Sequence, residues 1–472
     1  MELVSTNGKS AYRWMVFVTV VIGTFMVNVD SSIVNVALPI LQLQYRVTAG
    51  VLQWVVTGYL LMITAILPML GSLSDRLDRK KMFITGILVF TIASALCAIS
   101  PDFYGLVVFR FIQAIGGALI QANVMSIVSF TFPEGQRGRP LGLIGSVVAI
   151  GTIVGPALGG ILIGILGWRS IFWVNVPFGV LSVVLSVIIL PPISKGIGIK
   201  GFDWWGSGWF FVATMSLMVW ISNGGSFGWT SLTSILLLLI SALSWAAFIR
   251  WEWRHQRPLI ELSMFRMPQF SIGNIVGYLS YVVMMFPAMI LPLYLHQVVH
   301  MPVSLMGLIL MAQSVVMVLF APIGGWLSDH IGPYFPTVSG MTLVTLSMLT
   351  FYFMGDSGNY LMIVGGQALL GAGLGLFTSP NNVVVLESVP IQKTGLTGSL
   401  IATIRNFGRV TGVAFAMLLF QLAVGNLVHY PAADFIHGLQ LVFEGGIAFS
   451  IVGTVMVTLR KRTVPHPKIS PS

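Results

Sequence analysis

Apolar residues gather into runs of about 20 that recur along almost the whole chain, each long enough as a helix to cross roughly 30 Å of hydrocarbon. Polar residues fall in the breaks between runs. The pattern predicts fourteen membrane-spanning helices, near residues 14–38, 51–73, 83–100, 104–129, 140–164, 170–191, 207–223, 231–250, 271–295, 303–327, 335–355, 360–386, 397–423 and 437–459. The first run, Trp14 to Leu38, is too long for a signal-peptide core and is followed by no small-residue cleavage pattern, so it reads as a retained first span. Loops are short except at Pro191 to Asp203 and Arg250 to Arg266, which bracket a pair of spans with few polar residues. That pair reads as an insertion between two sets of six.

The expected organisation is therefore an all-α polytopic membrane protein with a first six-helix bundle at 1–192, two inserted linker helices at 193–266 and a second six-helix bundle at 267–472. An internal echo links the bundles: Gly71-Ser-Leu-Ser-Asp75 follows the second span and Gly325-Trp-Leu-Ser-Asp329 follows the tenth. Six spans repeated about an axis along the membrane normal is a transporter architecture, with the substrate site near the midplane between halves. Small residues such as Gly116-Gly117 and Gly371-Ala-Gly373-Leu-Gly375 let helix backbones approach closely.

The chain is 56% hydrophobic and 8% charged, against roughly a quarter charged in a soluble domain, which excludes a soluble enzyme. Its formal charge of +10 reports topology, not nucleic acid. With both ends in the cytoplasm, every Lys and Arg outside the spans except Arg46 and Arg169 falls on the inner side. The single cysteine, Cys97, lies in an apolar run and rules out a disulfide within the chain. No Gly-x-x-x-x-Gly-Lys-Ser/Thr loop is present, which argues against an ATP-driven pump. His296, His300, His429 and His437 fall near outer loops without an acid nearby, so no metal site is expected.

Once loops are set aside, Asp30, Glu444 and Glu387 remain as acids at membrane depth. An ionisable group in that setting is expensive and points to function. Asp30 lies about two thirds along the first span, sharing a face with Gly23, Val27, Val34 and Ala37 by helical spacing. Its carboxyl can carry a proton or meet a cationic substrate; the alternative is a structural hydrogen bond to a neighbouring span. Arg110, Gln113, Gly117 and Gln121 give the fourth span a polar stripe that lipid cannot face. Arg110 is expected to point into the bundle and act on a carboxyl, or else to snorkel to the outer headgroups. Arg405 and Arg409, four apart in the thirteenth span, need partners or water; Glu387 is one candidate for a structural ion pair, and the alternative is a role in the transport cycle.

Asp30-Ser-Ser-Ile-Val-Asn35-Val-Ala-Leu-Pro39 resembles the first-span signature of the fourteen-span drug:proton antiporter family of the major facilitator superfamily. Further segments are similar: Gly71 to Lys80 to the loop motif after span 2, Arg110-Phe-Ile-Gln113-Ala-Ile-Gly116-Gly117 to the span 4 motif, and Gly167 to Pro177 to the start of span 6. Gly151-Thr-Ile-Val-Gly155-Pro156-Ala-Leu-Gly159-Gly160 resembles the span 5 motif of antiporters. The first half matches densely and the second half weakly. One departure is Asp78, where the family usually has Gly; Asp tolerates turns, so the turn is expected to survive.

The resemblance implies a major facilitator fold and a multi-pass monomer of a bacterial cytoplasmic membrane, needing no cofactor beyond protons as coupling ion. It assigns proton coupling and substrate to Asp30, Arg110 and Gln113, and a conformational gate to Gly71, Asp75, Arg76, Arg79 and Asp329. Tight packing that favours antiport falls to Gly151, Gly155, Pro156, Gly159 and Gly160. The expected activity is proton-coupled multidrug efflux by alternating access, conferring antibiotic resistance. Its substrates are small amphipathic drugs, monovalent cationic, zwitterionic or neutral, because spans 10 and 13 lack the extra acids of divalent-cation exporters. Two readings stand beside it: a narrow exporter of one antibiotic, metabolite or amino acid, and, from another class, a polytopic membrane enzyme or sensor. A membrane enzyme would need a clustered catalytic set at a membrane edge, and the sequence offers none.

Overall fold

Hydrocarbon offers the backbone no hydrogen-bond partners, so a spanning segment must satisfy its own amides, and this chain does so with helices throughout. The computed structural model describes residues 6–47, 49–192, 198, 201–228, 230–301, 303–355, 358–424 and 432–460, and His429 lies outside them. Among the described residues the chain forms α1 (Thr6–Tyr45), α2 (Trp54–Arg76), α3 (Arg79–Ala98), α4 (Phe103–Thr131), α5 (Gly138–Leu166), α6 (Asn175–Ile189) and α7 (Trp204–Phe227). There follow α8 (Leu232–Glu252), α9 (Pro268–Gln297), α10 (Val303–Ile331), α11 (Tyr334–Tyr352), α12 (Tyr360–Glu387), α13 (Thr394–Val424) and α14 (Ala432–Leu459). Short helical turns at Ala49–Leu52 and Ser170–Trp173 lead into α2 and α6.

Each predicted span falls on one of these helices. Among the described residues, twelve helical stretches are long and apolar enough to cross a membrane. The other two, α7 and α11, are diluted by Gly, Ser, Thr and aromatic residues. Helix starts are set by local chemistry: Asp78, Asp102 and Asp203 accept backbone N–H groups from Lys80 (2.9 Å), Gly105 (2.7 Å) and Gly206 (2.8 Å) at the heads of α3, α4 and α7. Asp78, where the resembled motif usually has Gly, thus serves as an N-cap at an ordinary φ of −73°.

The chain divides into two compact units, Met1–Pro133 with Ile150–Ser263 and Val389–Thr403, and Glu134–Ala149 with Met264–Ser388 and Ile404–Ser472. The division cuts α5 and α13, so the first turns of each count with the other half of the sequence. In the first unit, Ile33, Val34, Val55, Cys97, Leu106, Ile171 and Phe172 form a dry cluster. Aliphatic side chains such as Leu236, Leu239 and Leu243 on α8 stand exposed, as befits a solvent of acyl chains. In the second unit, Phe286, Tyr294, Met348, Phe351, Phe420 and Phe443 are buried together. Glycines set the tightest crossings: a Cβ on Gly116 of α4 would lie 2.8 Å from the Gly86 carbonyl of α3, and one on Gly373 of α12 would lie 2.7 Å from the Gly340 carbonyl of α11.

Candidate functional site

Asp30, about two thirds along the hydrophobic stretch of α1, is wholly buried, and Arg110 of α4 is 1% exposed beside it. Arg110 Nη1 donates to Asp30 Oδ2 at 2.6 Å. The other carboxylate oxygen, Oδ1, accepts from Gln113 Nε2 at 3.0 Å and from Asn175 Nδ2 of α6 at 2.8 Å. Ser94 of α3 ties these two amides together, accepting from Gln113 and from Asn175. Arg110 is positioned in turn by Val55 and Gln113, donating from Nε to the Val55 carbonyl at 3.0 Å and from Nη1 to Gln113 Oε1 at 2.6 Å. Its guanidinium carbon stands 4.0 Å from the centroid of the Tyr59 ring of α2.

Five helices therefore converge on one carboxyl. A charge pair in this setting is held by its hydrogen bonds as much as by Coulomb attraction, and removing one partner strands the other. What the constellation can do chemically follows from the donor count. Ionised, Asp30 satisfies three donors and neutralises Arg110; protonated, it loses the charge that holds the guanidinium. Arg110 faces into the bundle, not toward headgroups.

At the end of α2, Asp75 accepts from the Gly395 and Leu396 amides at 2.9 Å and 2.8 Å, capping the first turn of α13. Arg79 bridges the same corner, donating to Asp75 Oδ1 at 2.6 Å and to the Gln392 carbonyl at 2.9 Å. Gly71 makes room for the approach: a Cβ there would overlap Ser399 and come within 2.7 Å of the Gly395 carbonyl. Arg76 turns the other way and donates to the Gly201 carbonyl at 2.9 Å, just before α7. In the second unit Asp329, at the end of α10, accepts from the Gly138 and Arg139 amides at 2.8 Å and 2.9 Å, capping α5. Gly325 meets the Gly138 carbonyl as Gly71 meets that of Gly395. The sequence echo is thus an echo in contacts.

A model of the Major Facilitator Superfamily matches residues 20–413. The chain belongs to that superfamily. It is 34% identical over 414 residues to the riboflavin transporter RibZ of Clostridioides difficile (strain 630), covering 86% of this chain and 88% of that one. It is 30% identical to the multidrug resistance protein Stp of Mycobacterium tuberculosis, covering 83% of this chain and 73% of that one. The tetracenomycin C resistance and export protein of Streptomyces glaucescens is 29% identical, over 89% and 78% of the two chains. Among solved structures the human organic anion transporter MFSD10 superposes with a TM-score of 0.67 at 16% identity, covering 94% of this chain and 99% of that one, a likeness of fold. This major facilitator protein is a multi-pass membrane transporter of small molecules, not an enzyme.

In the transporter's α5 the residues Gly151, Gly155 and Gly159 lie along α1 within the first unit. A Cβ at Gly151 would be 2.9 Å from that of Asn28, one at Gly155 would overlap Ser32, and one at Gly159 would sit 2.8 Å from Ile33 Cγ1. Ser32 donates to the Gly151 carbonyl at 3.0 Å, fastening α5 two residues from Asp30. Gly160 has open space around it, and Pro156 is part of the helix between.

Glu387 is exposed at the last residue of α12, whereas Arg405 lies about 16 Å of helical rise inside α13. The Arg409 guanidinium carbon lies 5.4 Å from the centroid of the Tyr281 ring of α9. Glu444 is exposed on α14.

Sequence reasoning missed Ser94 and Tyr59 at the Asp30 centre, and gave no role to Asn175. The signal for Asn175 is its place as a lone amide at the head of a hydrophobic helix. It also missed two buried acids of the inserted pair, Asp203 (3% exposed) and Glu252 (4% exposed), which the loop assignment put in water.

Proposed function

We propose that the protein is a proton-coupled antiporter that exports small amphipathic organic molecules by alternating access, with Asp30 as the proton carrier and Arg110 as its counter-charge. The observation that carries this reading is the buried Asp30–Arg110 pair, closed by Gln113 and Asn175. With Asp30 ionised, the guanidinium is held. A proton arriving on Asp30 cancels the attraction and releases Arg110, and the rearranged centre favours the other orientation of the halves. Substrate and proton then take turns, which couples the two fluxes. The capping contacts of Asp75 and Asp329 supply a latch with two discrete arrangements, docked or free. The distribution of Lys and Arg supports both termini in the cytoplasm, and the bacterial relatives support a bacterial cytoplasmic membrane, in which we take the protein to act as a monomer.

Because Asp30 already has Arg110 and two amides on it, it offers no spare negative charge to a cationic drug. Neutral and zwitterionic substrates therefore fit the first unit better than cations. A narrower reading, export of a single planar metabolite, draws support from the 34% identity to a protein named a riboflavin transporter.

The test is transport in inside-out vesicles with an imposed acid-inside gradient, comparing wild type with Asp30→Asn on a panel that includes riboflavin, a neutral drug and ethidium. Accumulation that collapses on uncoupler and is lost in Asp30→Asn supports the reading. Accumulation that persists in Asp30→Asn overturns the role of Asp30, and accumulation confined to one compound selects the narrow exporter.

A further inference from the structure

Two buried polar groups beside Asp30 have no hydrogen-bond partner among the described residues: Arg110 Nη2 and the hydroxyl of Tyr59. Both residues are 1% exposed, so neither group reaches bulk water. An unpaired donor or acceptor in a dry site costs stability, and its persistence calls for an explanation beyond packing. The other guanidinium nitrogens are engaged: Nε donates to the Val55 carbonyl, and Nη1 is shared between Asp30 and Gln113.

The two unpaired groups are neighbours. The Arg110 guanidinium carbon lies 4.0 Å from the centroid of the Tyr59 ring, while the Phe172 ring stands farther off at 5.9 Å. The Tyr59 hydroxyl reaches the face of α4 that carries Arg110 and Gln113, where a Cβ on Gly117 would stand 3.0 Å from it and 3.3 Å from Ile63 Cδ1. Glycine at 117 therefore leaves the phenol its place against α4. The guanidinium already rests on the ring, so moving Nη2 to the hydroxyl takes a rotation of the arginine side chain and no helix movement. A phenol oxygen accepts from a guanidinium, which has donors only. The titratable groups facing Arg110 are Asp30 of α1, Tyr59 of α2 and Cys97 of α3, and of these Asp30 is the one that holds Nη1.

We propose that Tyr59 is a positioning residue for proton coupling: when Asp30 takes up a proton, Arg110 turns its free Nη2 onto the Tyr59 hydroxyl, and the two unpaired groups satisfy each other. With Asp30 ionised the hydroxyl stands unpaired. With Asp30 protonated it gives the released arginine one defined second seat, which is what a centre with two discrete arrangements requires. This rests on the reading of Asp30 as the proton carrier and adds the residue that receives its counter-charge.

The test is thermal melting of the purified full-length protein in detergent at pH 8, with Tyr59→Phe made in two backgrounds: wild type, and Asp30→Asn as a neutral stand-in for the protonated carboxyl. In the wild-type background Tyr59→Phe removes an unpaired hydroxyl and is expected to leave the melting temperature unchanged or raise it. In the Asp30→Asn background it is expected to lower it by about 2 °C or more, because Arg110 loses its second seat. The same contrast is read without Asp30→Asn by melting wild type and Tyr59→Phe from pH 8 down to pH 5, where the proton itself replaces the substitution. Other titrating groups are common to both proteins, so the gap between them is expected to open toward acid, which a merely structural tyrosine would not cause. A loss in the wild-type background at pH 8 would mean the hydroxyl is already bonded with Asp30 ionised, and overturns the proposal. An equal shift in both backgrounds, or a gap that does not change with pH, overturns it as well. None of these measurements uses a gradient or a substrate, so they are separate from failure of the proton-carrier reading, which vesicle transport persisting in Asp30→Asn would reveal.

Discussion

Asp75 and Asp329 make the same contact in opposite halves of the sequence: each ends a helix with a carboxylate that takes two successive amides at the start of another, α13 for Asp75 and α5 for Asp329. A charged cap on a helix N-terminus contributes about 1 kcal/mol, so Asp75→Asn and Asp329→Asn should each lower the apparent melting temperature. The sites share no hydrogen-bond partner, so the two losses should add. Loosening at Asp75 should also show chemically. Ser399→Cys, packed under Gly71, should react faster with a maleimide when Asp75 is Asn. Unchanged labelling would mean the contact contributes no latch.

The Asp30–Arg110 pair predicts a non-additive cycle. Asp30→Asn strands a guanidinium in a buried site and should cost about 3–5 kcal/mol, as should Arg110→Gln, which strands the carboxylate. The double variant leaves two neutral amides near Gln113 and Asn175 and should recover most of the stability while remaining unable to couple to protons. Melting of the four proteins in one detergent gives the coupling energy. Additive losses would show that Asp30 and Arg110 do not depend on each other.

Helix positions are readable because membrane burial demands long apolar runs: among the described residues each of the fourteen expected spans lies on a helix, and twelve are apolar enough to cross a membrane. Asp30, Arg110, Asp75 and Asp329 stood out for a related reason, as charges where charge is expensive or as repeated motifs. What periodicity could not supply was the third dimension: Ser94, Asn175 and Tyr59 come from three other helices, and nothing in their own segments marks the carboxyl they surround. Asp203 and Glu252 escaped because a helix cap and a helix-end acid look in sequence like ordinary loop residues.

The glycine stripe of α5 predicts a sharp contrast within one motif. Gly155→Ala places a methyl against Ser32 and within 3.0 Å of the Val29 carbonyl, in a helix pair already clamped by the Ser32 to Gly151 hydrogen bond. Backbone cannot give as a side-chain tip can, so yield of folded protein should fall severely, by the 1–3 kcal/mol usual for overpacking. Gly160→Ala meets open space and should express and melt like wild type. Adding Ser32→Ala to Gly155→Ala should recover only part of the loss, because the Val29 carbonyl remains in the way.

In the inserted helix pair, the buried carboxyls of Asp203 and Glu252 crowd the same spot: a Cβ on Gly206 would overlap Asp203 Oδ2 and lie 2.6 Å from Glu252 Oε1. Each is otherwise supplied with donors: Glu252 takes the Leu259 and Ile260 amides at 3.3 Å and 3.1 Å, and Asp203 Oδ1 takes the Gly206 amide at 2.8 Å and Trp251 Nε1 at 2.9 Å. Two carboxyl groups this close repel when both are ionised, and can share a hydrogen bond when one holds a proton. Glu252→Gln supplies that hydrogen permanently from its amide while its oxygen keeps a backbone donor, so its stability should stay within about 0.5 kcal/mol of wild type. Glu252→Leu fills similar volume but leaves the Leu259 and Ile260 amides unpaired and should lose about 3 kcal/mol. Thermal melting of both variants in detergent separates the cases. If Gln proves as damaging as Leu, both carboxyls are ionised in the folded protein, and His255, whose Nδ1 lies 3.9 Å from Asp203 Oδ2, becomes the group that holds them together.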